Sequence, residues 1–324
     1  MLSISQYREA ITHYLTQKVV VKKPENLYEP MVYILEQGGK RLRPVLVLMA
    51  AEIFDGNYRD ALDAALAIEI FHNFSLVHDD IMDDAPLRRG TATVHEKWDL
   101  NTGILSGDAM LINAYQLFEN YDGDIFKQLA KLFTKTAMEV CEGQQYDIDF
   151  ETRDNVSIED YLLMIEYKTA VLVGASLKMG AIIAETSEDC KEAIYQYGRL
   201  LGIAFQLQDD YLDAFGDPET FGKQSGGDII ENKKTFLYLK TLEAATQSEA
   251  QQLLHLYSIQ PGDNSGKIEA VKNLFESSGA AEMTLNEIKK YTEKAFDVLN
   301  KIDIPAEKKE PLRKFGVMLM ERQV

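Results

Sequence analysis

Apolar residues recur every three or four positions along most of the 324-residue chain, the spacing that lines one face of an α-helix. Residues 61–84 predict one helix of about six turns, and residues 195–215 show the same pattern. Further helices are predicted over residues 101–121, 124–144 and 280–302. The alternation typical of β-strands is absent from the sequence. The prediction is therefore an all-α fold.

Glycine and proline interrupt this pattern in three places, at residues 83–93, 215–228 and 258–267. None of these segments is long or polar enough to be a linker between domains. The whole chain, residues 1–324, is therefore expected to form a single domain.

Two of the predicted helices end in the same pattern of aspartates. On a helix, positions i and i+4 share a face, and position i+1 lies on the adjoining stripe. Carboxylates in a last turn oppose the helix dipole and repel one another by a few tenths of a kcal/mol per exposed pair. One such motif can be a solvated acidic helix end, but its repetition suggests a shared ligand that compensates the charge. The two sets are Asp79, Asp80 and Asp83, and Asp209, Asp210 and Asp213.

A hard divalent cation fits two carboxylate sets best. Mg2+ prefers carboxylate oxygens and completes its coordination with water and substrate phosphate. Calcium-loop spacing is absent, and no set of His and Cys residues suits zinc. Basic residues of this acidic chain collect in a few segments, at residues 40–43, 88–89, 168, 223 and 233–234. Each alone is expected to be a solvated charge, but together they indicate a site for more than one polyphosphate group.

The composition excludes several classes of function. The chain has 34 Lys+Arg against 52 Asp+Glu, and its net charge of −18 opposes binding to nucleic acids or anionic membranes. The longest apolar stretch, residues 45–51, is far shorter than a membrane span. Cys141 and Cys190 are isolated, which suits a reducing compartment. A cytoplasmic protein without a nucleic-acid partner and without stable membrane insertion is therefore expected.

Six motifs occur in order: GGKRLRP, FHNFSLVHDDIMDDAPLRRGTATVH, GQQYD, EYKTA, FQLQDDYLDAFGD and FGKQSGGDIIENKKT. In this order they resemble the trans-isoprenyl diphosphate synthases, or polyprenyl synthetases, over essentially the whole chain. The resemblance implies a helical bundle of the isoprenoid-synthase type around a central cavity, and a homodimer. It also implies a short-chain prenyltransferase that joins isopentenyl diphosphate head-to-tail to dimethylallyl, geranyl or farnesyl diphosphate through an allylic carbocation.

The resemblance implies a role for each matching residue. About three Mg2+ ions per active site, or Mn2+ in their place, would be bound by Asp79, Asp80, Asp83, Asp209, Asp210 and Asp213. The allylic diphosphate would be held by Arg88, Lys168, Lys223 and Lys233. Isopentenyl diphosphate would be bound without metal by Lys40, Arg43, His72 and Arg89. The residues near the reacting carbons would be Lys168, Thr169 and Gln206.

The growing product is expected to run along the helix that precedes Asp79. Ser75 lies one turn before Asp79 and Phe71 one turn further, at about 5.4 Å per turn. Phe74 occupies the position at which the family often limits product length, although core packing is an alternative role. An aromatic residue followed by a small one, with no two-residue insertion in the first motif, resembles the short geranylgeranyl synthases of the family, and this resemblance implies a twenty-carbon product, geranylgeranyl diphosphate. The alternative is the fifteen-carbon farnesyl diphosphate.

Two other functions are weighed against this one. A terpene cyclase also ionises allylic diphosphates, but its second metal motif normally mixes Asn or Asp with Ser or Thr and Glu, unlike DDYLD. A cyclase also has no use for the basic residues assigned to isopentenyl diphosphate. A non-catalytic regulatory subunit of a heteromeric prenyl synthase usually loses aspartates from one motif, and both motifs are intact here.

Overall fold

A computed structural model describes residues 1–217 and 226–320 of the protein. The backbone of these residues is almost entirely helical, which confirms the predicted all-α fold. The chain begins with α1 (Ile4–Lys18), α2 (Glu25–Glu36), α3 (Leu42–Ile53) and α4 (Leu62–Met82). A hairpin of β1 (Leu87–Arg88) and β2 (Thr91–Ala92) then precedes α5 (Val94–Lys97), α6 (Leu100–Phe118) and α7 (Gly123–Thr152).

The second part of the chain continues with α8 (Ile158–Ile165), a π-helix (Glu166–Ala170), α9 (Val171–Ile183) and α10 (Glu188–Phe215). The remaining described helices are α11 (Gly227–Ile230), α12 (Phe236–Ala244), α13 (Gln247–Leu256), α14 (Ser265–Ser277), α15 (Ala280–Lys301) and α16 (Ala306–Met320). Along the described ranges, each helix is either too short or too polar to cross a lipid bilayer.

Contacts divide the chain into two compact units. Unit 1 comprises Met1–Thr134 and Ala175–Glu192, and unit 2 comprises the described residues of Lys135–Gly174 and Ala193–Val324. The single domain predicted from the sequence stays a prediction.

Unit 1 is built on α4, which packs against α3 and α6. A helix that is apolar on all sides is buried on all sides, and α4 has buried residues from Ala64 to Phe71 without interruption. The ring of Phe133 lies 5.0 Å from that of Phe71 and 5.1 Å from that of Phe118, so aromatic side chains fill the space beside α4. The apolar helix that carries the first aspartate motif is therefore a fixed element of the unit 1 core.

Unit 2 has its own core, formed by α12 packed against α14 and α15. Phe236, Phe275 and Tyr161 are almost fully buried there, and Leu207 of α10 is completely buried. The Ser157 hydroxyl accepts a hydrogen bond from the Asp160 amide, and the Asp160 carboxylate accepts one from the Ser157 amide. This reciprocal cap fixes the first turn of α8, which leads into the π-helix.

The helix predicted over residues 61–84 ends two residues early, at Met82. Asp84 has a left-handed backbone with φ +48°. Its amide donates to the Ile81 carbonyl, and the Ala85 amide donates to the Asp80 carbonyl at 2.9 Å. This is a Schellman ending, in which a glycine usually takes the left-handed position. Asp84 therefore lies beyond the last helical turn. The two-residue strands that follow were also absent from the prediction.

Candidate active site

The end of α4 and strand β1 bring three of the predicted site residues together. Asp80 is 1% exposed, whereas Asp79 is half-buried and Asp83 is exposed. Arg88 Nε donates to both carboxylate oxygens of Asp80, at 2.8 and 2.9 Å, and its Nη2 lies 3.5 Å from Asp79 Oδ2. Burial raises the pKa of Asp80, and the bonds from Arg88 oppose this shift. Asp80 therefore orients Arg88 at the first aspartate motif.

Three of the four residues predicted to bind isopentenyl diphosphate form a basic cluster in unit 1. Arg43 Nη1 lies 3.2 Å from His72 Nε2. Burial, followed by the charges of Arg43 and Arg89, holds the pKa of His72 well below its ordinary value. The imidazole is therefore neutral and accepts the hydrogen bond from Arg43. Lys40, the fourth predicted residue, is exposed in the segment between α2 and α3.

The two glycines before Lys40 allow Arg89 to reach this cluster. Gly38 and Gly39 have φ values of +78° and +125°, which favour glycine. A Cβ on Gly39 would lie 3.1 Å from the Arg89 guanidinium, which also donates to the Gly38 carbonyl. A larger residue at position 39 would therefore displace Arg89.

Sequence reasoning missed the buried ion pair that anchors the same loop. Arg41 precedes α3 with a left-handed φ of +49°, and its guanidinium donates to the Glu69 carboxylate and to the Leu35 carbonyl. Asn73 Nδ2 also donates to Glu69 Oε1, at 3.1 Å. The sequence did contain a signal for this ion pair. Glu69 is an acidic residue inside a strongly apolar helix, where a buried charge requires a partner of opposite charge.

The residues predicted to limit product length follow one another along α4. Phe74 is 9% exposed, and its ring centroid lies 5.5 Å from that of Phe71 and 4.9 Å from that of His78. Ser75 is half-buried and donates to the His72 carbonyl at 2.8 Å. The aromatic pair is therefore fixed one to two turns before Asp79, and its role in chain length stays a prediction.

In unit 2, the second aspartate motif lies at the end of α10. Asp210 is 8% exposed and accepts hydrogen bonds from the Tyr161 hydroxyl and from Gln206 Nε2, the latter at 2.8 Å. Asp213 is 9% exposed and accepts from the amide of Asp228 at 3.0 Å. Asp209 is half-buried.

Asp228 joins this carboxylate cluster, although sequence reasoning gave it no role. Burial, together with the charges of Asp210 and Asp213, raises its pKa well above the ordinary value. Asp228 belongs to the quoted segment GGDII, but it lies in a different helix from Asp213, so helical periodicity does not relate the two residues. The amide of Gly226 donates to the Asp213 carbonyl at 2.7 Å, and the amide of Asp228 donates to the Asp213 carboxylate, so these bonds bring the two residues together.

A pocket in unit 2 gathers the residues predicted to lie near the reacting carbons. Lys168 and Thr169 belong to the π-helix, a form that frequently occurs at functional sites. Lys168 Nζ donates to Asp147 Oδ2 at 2.6 Å, and Thr169 Oγ1 donates to Gln206 Oε1 at 3.0 Å. The lining of this pocket includes Asp147, Lys168, Thr169, Gln206, Asp210, Asp228 and Lys233.

Gly143 lets α7 approach the π-helix closely. A Cβ at this position would lie 2.2 Å from the backbone nitrogen of Lys168, too close for any side chain. Gly143 is the glycine of the motif GQQYD, which also carries Asp147. The missing side chain therefore brings the carboxylate of Asp147 within reach of Lys168.

The neighbouring lysines of ENKKT have different surroundings. Lys233 lines the pocket, and its Nζ lies 2.8 Å from Glu231 Oε2. Lys234 Nζ donates to the carbonyls of Phe150 and Arg153 at 2.7 and 2.9 Å. A cation is favoured at the negative end of a helix dipole, so Lys234 stabilises the end of α7. Lys223, also predicted to bind the allylic diphosphate, lies outside the described residues.

The pKa of Asp210 predicts a pH-dependent stability. Burial, despite the bonds from Tyr161 and Gln206, raises this pKa from 3.8 to about 7. Between these values the folded protein holds a proton that the unfolded chain releases, so the free energy of unfolding falls as pH rises. Urea unfolding of the metal-free protein should show this fall between about pH 4 and 7. Asp210→Asn should lack this part of the fall, whereas the exposed Asp108→Asn should retain it.

Excess Mg2+ provides a second check of the same titration. A cation bound to these carboxylates favours their ionised form, so the difference between wild type and Asp210→Asn should depend less on pH. Identical pH profiles for wild type and Asp210→Asn in metal-free buffer would contradict the elevated pKa.

Comparisons with known proteins identify the family of the chain. Residues 24–275 match the family described as Polyprenyl synthetase. The geranylgeranyl diphosphate synthase of Methanosarcina mazei is 39% identical over 78% of this chain and 81% of its own length. The geranylfarnesyl diphosphate synthase of Natronomonas pharaonis is 38% identical over 88% of both chains. A crystal structure of a geranylgeranyl pyrophosphate synthase covers both chains fully, with 54% identity and a TM-score of 0.96.

The chain belongs to the polyprenyl synthetase family. Its members join isoprenyl diphosphates, and the protein is accordingly an enzyme of the trans-prenyltransferase class. Both statements confirm what the six motifs predicted from the sequence.

Proposed function

We propose that the enzyme condenses isopentenyl diphosphate with an allylic diphosphate, preferably to the twenty-carbon geranylgeranyl diphosphate. The observation that carries this proposal is the basic cluster of Arg43, His72 and Arg89 in the same unit as the first aspartate motif. A neutral imidazole between guanidinium groups suits a diphosphate that is bound without metal. A terpene cyclase has no second diphosphate for such a cluster to hold.

The two carboxylate sets fit Mg2+. Asp210 and Asp213 are buried beside Asp228. Burial is the main cause of the raised pKa of Asp210, and repulsion from Asp209 and Asp213 adds to it. A hard cation with oxygen ligands relieves this repulsion. We assign its binding to both aspartate motifs, with about three ions per active site. Mg2+ held by these aspartates would supply positive charge to the diphosphate as the allylic substrate ionises.

The side chains of the protein have three tasks in the reaction. Arg88, Lys168 and Lys233 donate to the oxygens of the allylic diphosphate and stabilise its charge as the carbon–oxygen bond breaks. Arg43, His72 and Arg89 hold isopentenyl diphosphate, so that its double bond meets the carbocation as an effectively unimolecular partner. The oxygens of Thr169 and Gln206 stabilise the cation by their dipoles. The departing diphosphate takes the final proton, so no side chain serves as a general base.

A product assay tests this function directly. The purified protein is incubated with Mg2+, labelled isopentenyl diphosphate and, in separate reactions, dimethylallyl, geranyl or farnesyl diphosphate. A linear twenty-carbon alcohol after dephosphorylation is the expected product. A fifteen- or twenty-five-carbon product would keep the reaction and change the length. Lack of incorporation with every primer, in folded protein with Mg2+, would contradict the function and favour the cyclase or regulatory alternatives.

Replacement of Phe74 by alanine should lengthen the product. The substitution removes an aromatic ring that is 9% exposed and packs against Phe71, so a growing chain gains space along α4. Chain sizing should show products at least one isoprene unit longer than those of the wild type. Phe118→Ala is the matched control, because Phe118 belongs to the same aromatic cluster and is fully buried. An unchanged product from Phe74→Ala, or equal lengthening by both variants, would remove Phe74 from this role.

We propose that the enzyme is a cytoplasmic homodimer that associates through α6. This helix exposes four large apolar side chains, and exposed patches of this kind mark association surfaces. They are Leu100, Ile104, Leu105 and Ile112, with 53%, 40%, 60% and 60% exposure. Leu105 and Ile112 are seven residues apart and share a face. Leu105→Glu with Ile112→Glu should yield a monomer in light scattering, and a dimer of unchanged mass would contradict this surface.

A further inference from the structure

A buried histidine of unit 1 has ring nitrogens that no part of the proposed reaction uses. The His95 side chain is 9% exposed, and neither Nδ1 nor Nε2 has a hydrogen-bond partner among the described residues. Burying such polar atoms without partners costs about 1–3 kcal/mol each. A bound ligand would satisfy these ring nitrogens and remove this cost.

Two carboxylates lie where that ligand would bind. Nε2 of His95 is 3.9 Å from Glu96 Oε1, and one ligand atom each from Asp84, His95 and Glu96 lies within 4.8 Å of the others. Two ligands of one tetrahedral zinc ion are about 3.4 Å apart, given bonds of about 2.1 Å. Closing this gap requires rotation of the Asp84 and Glu96 side chains, and both residues are exposed.

The donor set selects the class of metal. An imidazole nitrogen with two carboxylates suits Zn2+ or a related transition ion, whereas Mg2+ prefers oxygen ligands throughout. The site uses none of the predicted ligands of the first motif, since Asp84 takes the left-handed position that ends α4 and the other two residues belong to α5. Nδ1 has no acceptor in the described part of the chain, and this lowers the expected affinity, because a hydrogen bond from the second ring nitrogen typically strengthens metal binding by about 10–100-fold.

We propose that Asp84, His95 and Glu96 bind one divalent transition-metal ion, such as Zn2+. The ion joins the end of α4 to α5 and so closes the hairpin between them. That hairpin carries Arg88 and Arg89, and its ends are already joined by the bond from Thr93 Oγ1 to the Ala85 carbonyl at 2.8 Å. The metal would therefore restrict the segment that presents both arginines.

Calorimetric titration of Zn2+ into the full-length protein tests this site. Excess Mg2+ is present throughout to occupy the aspartate motifs, and no substrate is added, so the outcome does not depend on the proposed condensation. The expected result is one bound Zn2+ per chain. His95→Asn and Asp84→Asn should each weaken binding by at least about 10-fold. Bound Co2+ should give an absorption band that His95→Asn abolishes.

His78 provides the matched control. Its Nε2 also lies 3.9 Å from a carboxylate, that of Asp108, but it has the Ile104 carbonyl 3.2 Å away as a partner. His78→Asn should bind Zn2+ as the wild type does. If His95→Asn fails to fold, the exposed Glu96→Gln takes its place, with the same expected loss. Unchanged Zn2+ affinity in the variants, or lack of Zn2+ binding by the wild type in excess Mg2+, would overturn the proposal.

Discussion

Alanine in place of Asp79 or Asp209 is expected to lower kcat by about 1,000-fold or more, since a metal ligand stabilises transition-state charge by several kcal/mol and about 4 kcal/mol corresponds to that factor. The two residues begin equivalent motifs in different units, so similar losses are expected from either substitution. The measurement is the initial rate of isopentenyl diphosphate incorporation at saturating substrate and Mg2+. Each single variant should lose activity, because each removes a carboxylate that we propose to be a ligand of Mg2+.

Two controls separate metal loss from general damage. Asp124→Ala removes an exposed aspartate near the start of α7 and should leave kcat within about twofold, as surface substitutions usually do little. Thermal unfolding should show that Asp79→Ala and Asp209→Ala remain folded. A folded variant of either kind that keeps more than about a tenth of wild-type kcat would contradict the role of both motifs in metal binding.

The largest expected effect on stability comes from the ion pair of Arg41 with Glu69. Their side chains are 6% and 5% exposed, so removal of one partner leaves a buried charge uncompensated. Arg41→Met should therefore lower the free energy of unfolding by about 3–5 kcal/mol. The double variant Arg41→Met with Glu69→Leu should lose less than the sum of the single variants, because it leaves no unpaired charge. Urea unfolding measures all three.

The pair of Lys289 with Glu293 gives the matched comparison. It is also an ion pair, at 3.9 Å, but its side chains are 74% and 65% exposed. Lys289→Met should change stability by less than about 0.5 kcal/mol, since solvent screens such pairs. If Arg41→Met and Lys289→Met lower the free energy of unfolding equally, burial does not determine how much the Arg41–Glu69 pair contributes to stability.

Because Arg41 lies between Lys40 and Arg43, a raised KM for isopentenyl diphosphate should accompany the loss of stability.

The helical fold and the enzyme family were both accessible from the sequence. Apolar residues with helical spacing give long, unambiguous signals, as in α4 and α10. The aspartates were conspicuous because acids at the end of an apolar helix violate the preference of the helix dipole. Local physical chemistry and motif order therefore led to the same prediction, and the family match confirms it.

Other features depend on contacts that linear patterns do not contain. The bond between Arg88 and Asp80 requires the chain to reverse within a hairpin whose strands have two residues each, too short for any periodicity. The end of α4 was misplaced because Asp84 takes a left-handed position that sequence rules reserve for glycine. The backbone amide of Asp228 donates to the Asp213 carboxylate, a contact that helical spacing does not predict.

The π-helix at Glu166–Ala170 has a consequence for insertions and deletions in this protein. A π-turn holds one residue more than the α-turn it replaces, so it marks the place of a single added residue. Deletion of one residue here would restore ordinary α-helical bonding and rotate the preceding side chains by about 100° relative to those after Ala170. Thr169 would then no longer face Gln206. The number of residues in this segment is therefore restricted, as their identities are. Sequence alignments with related helical proteins that lack the π-helix should show a one-residue gap within it.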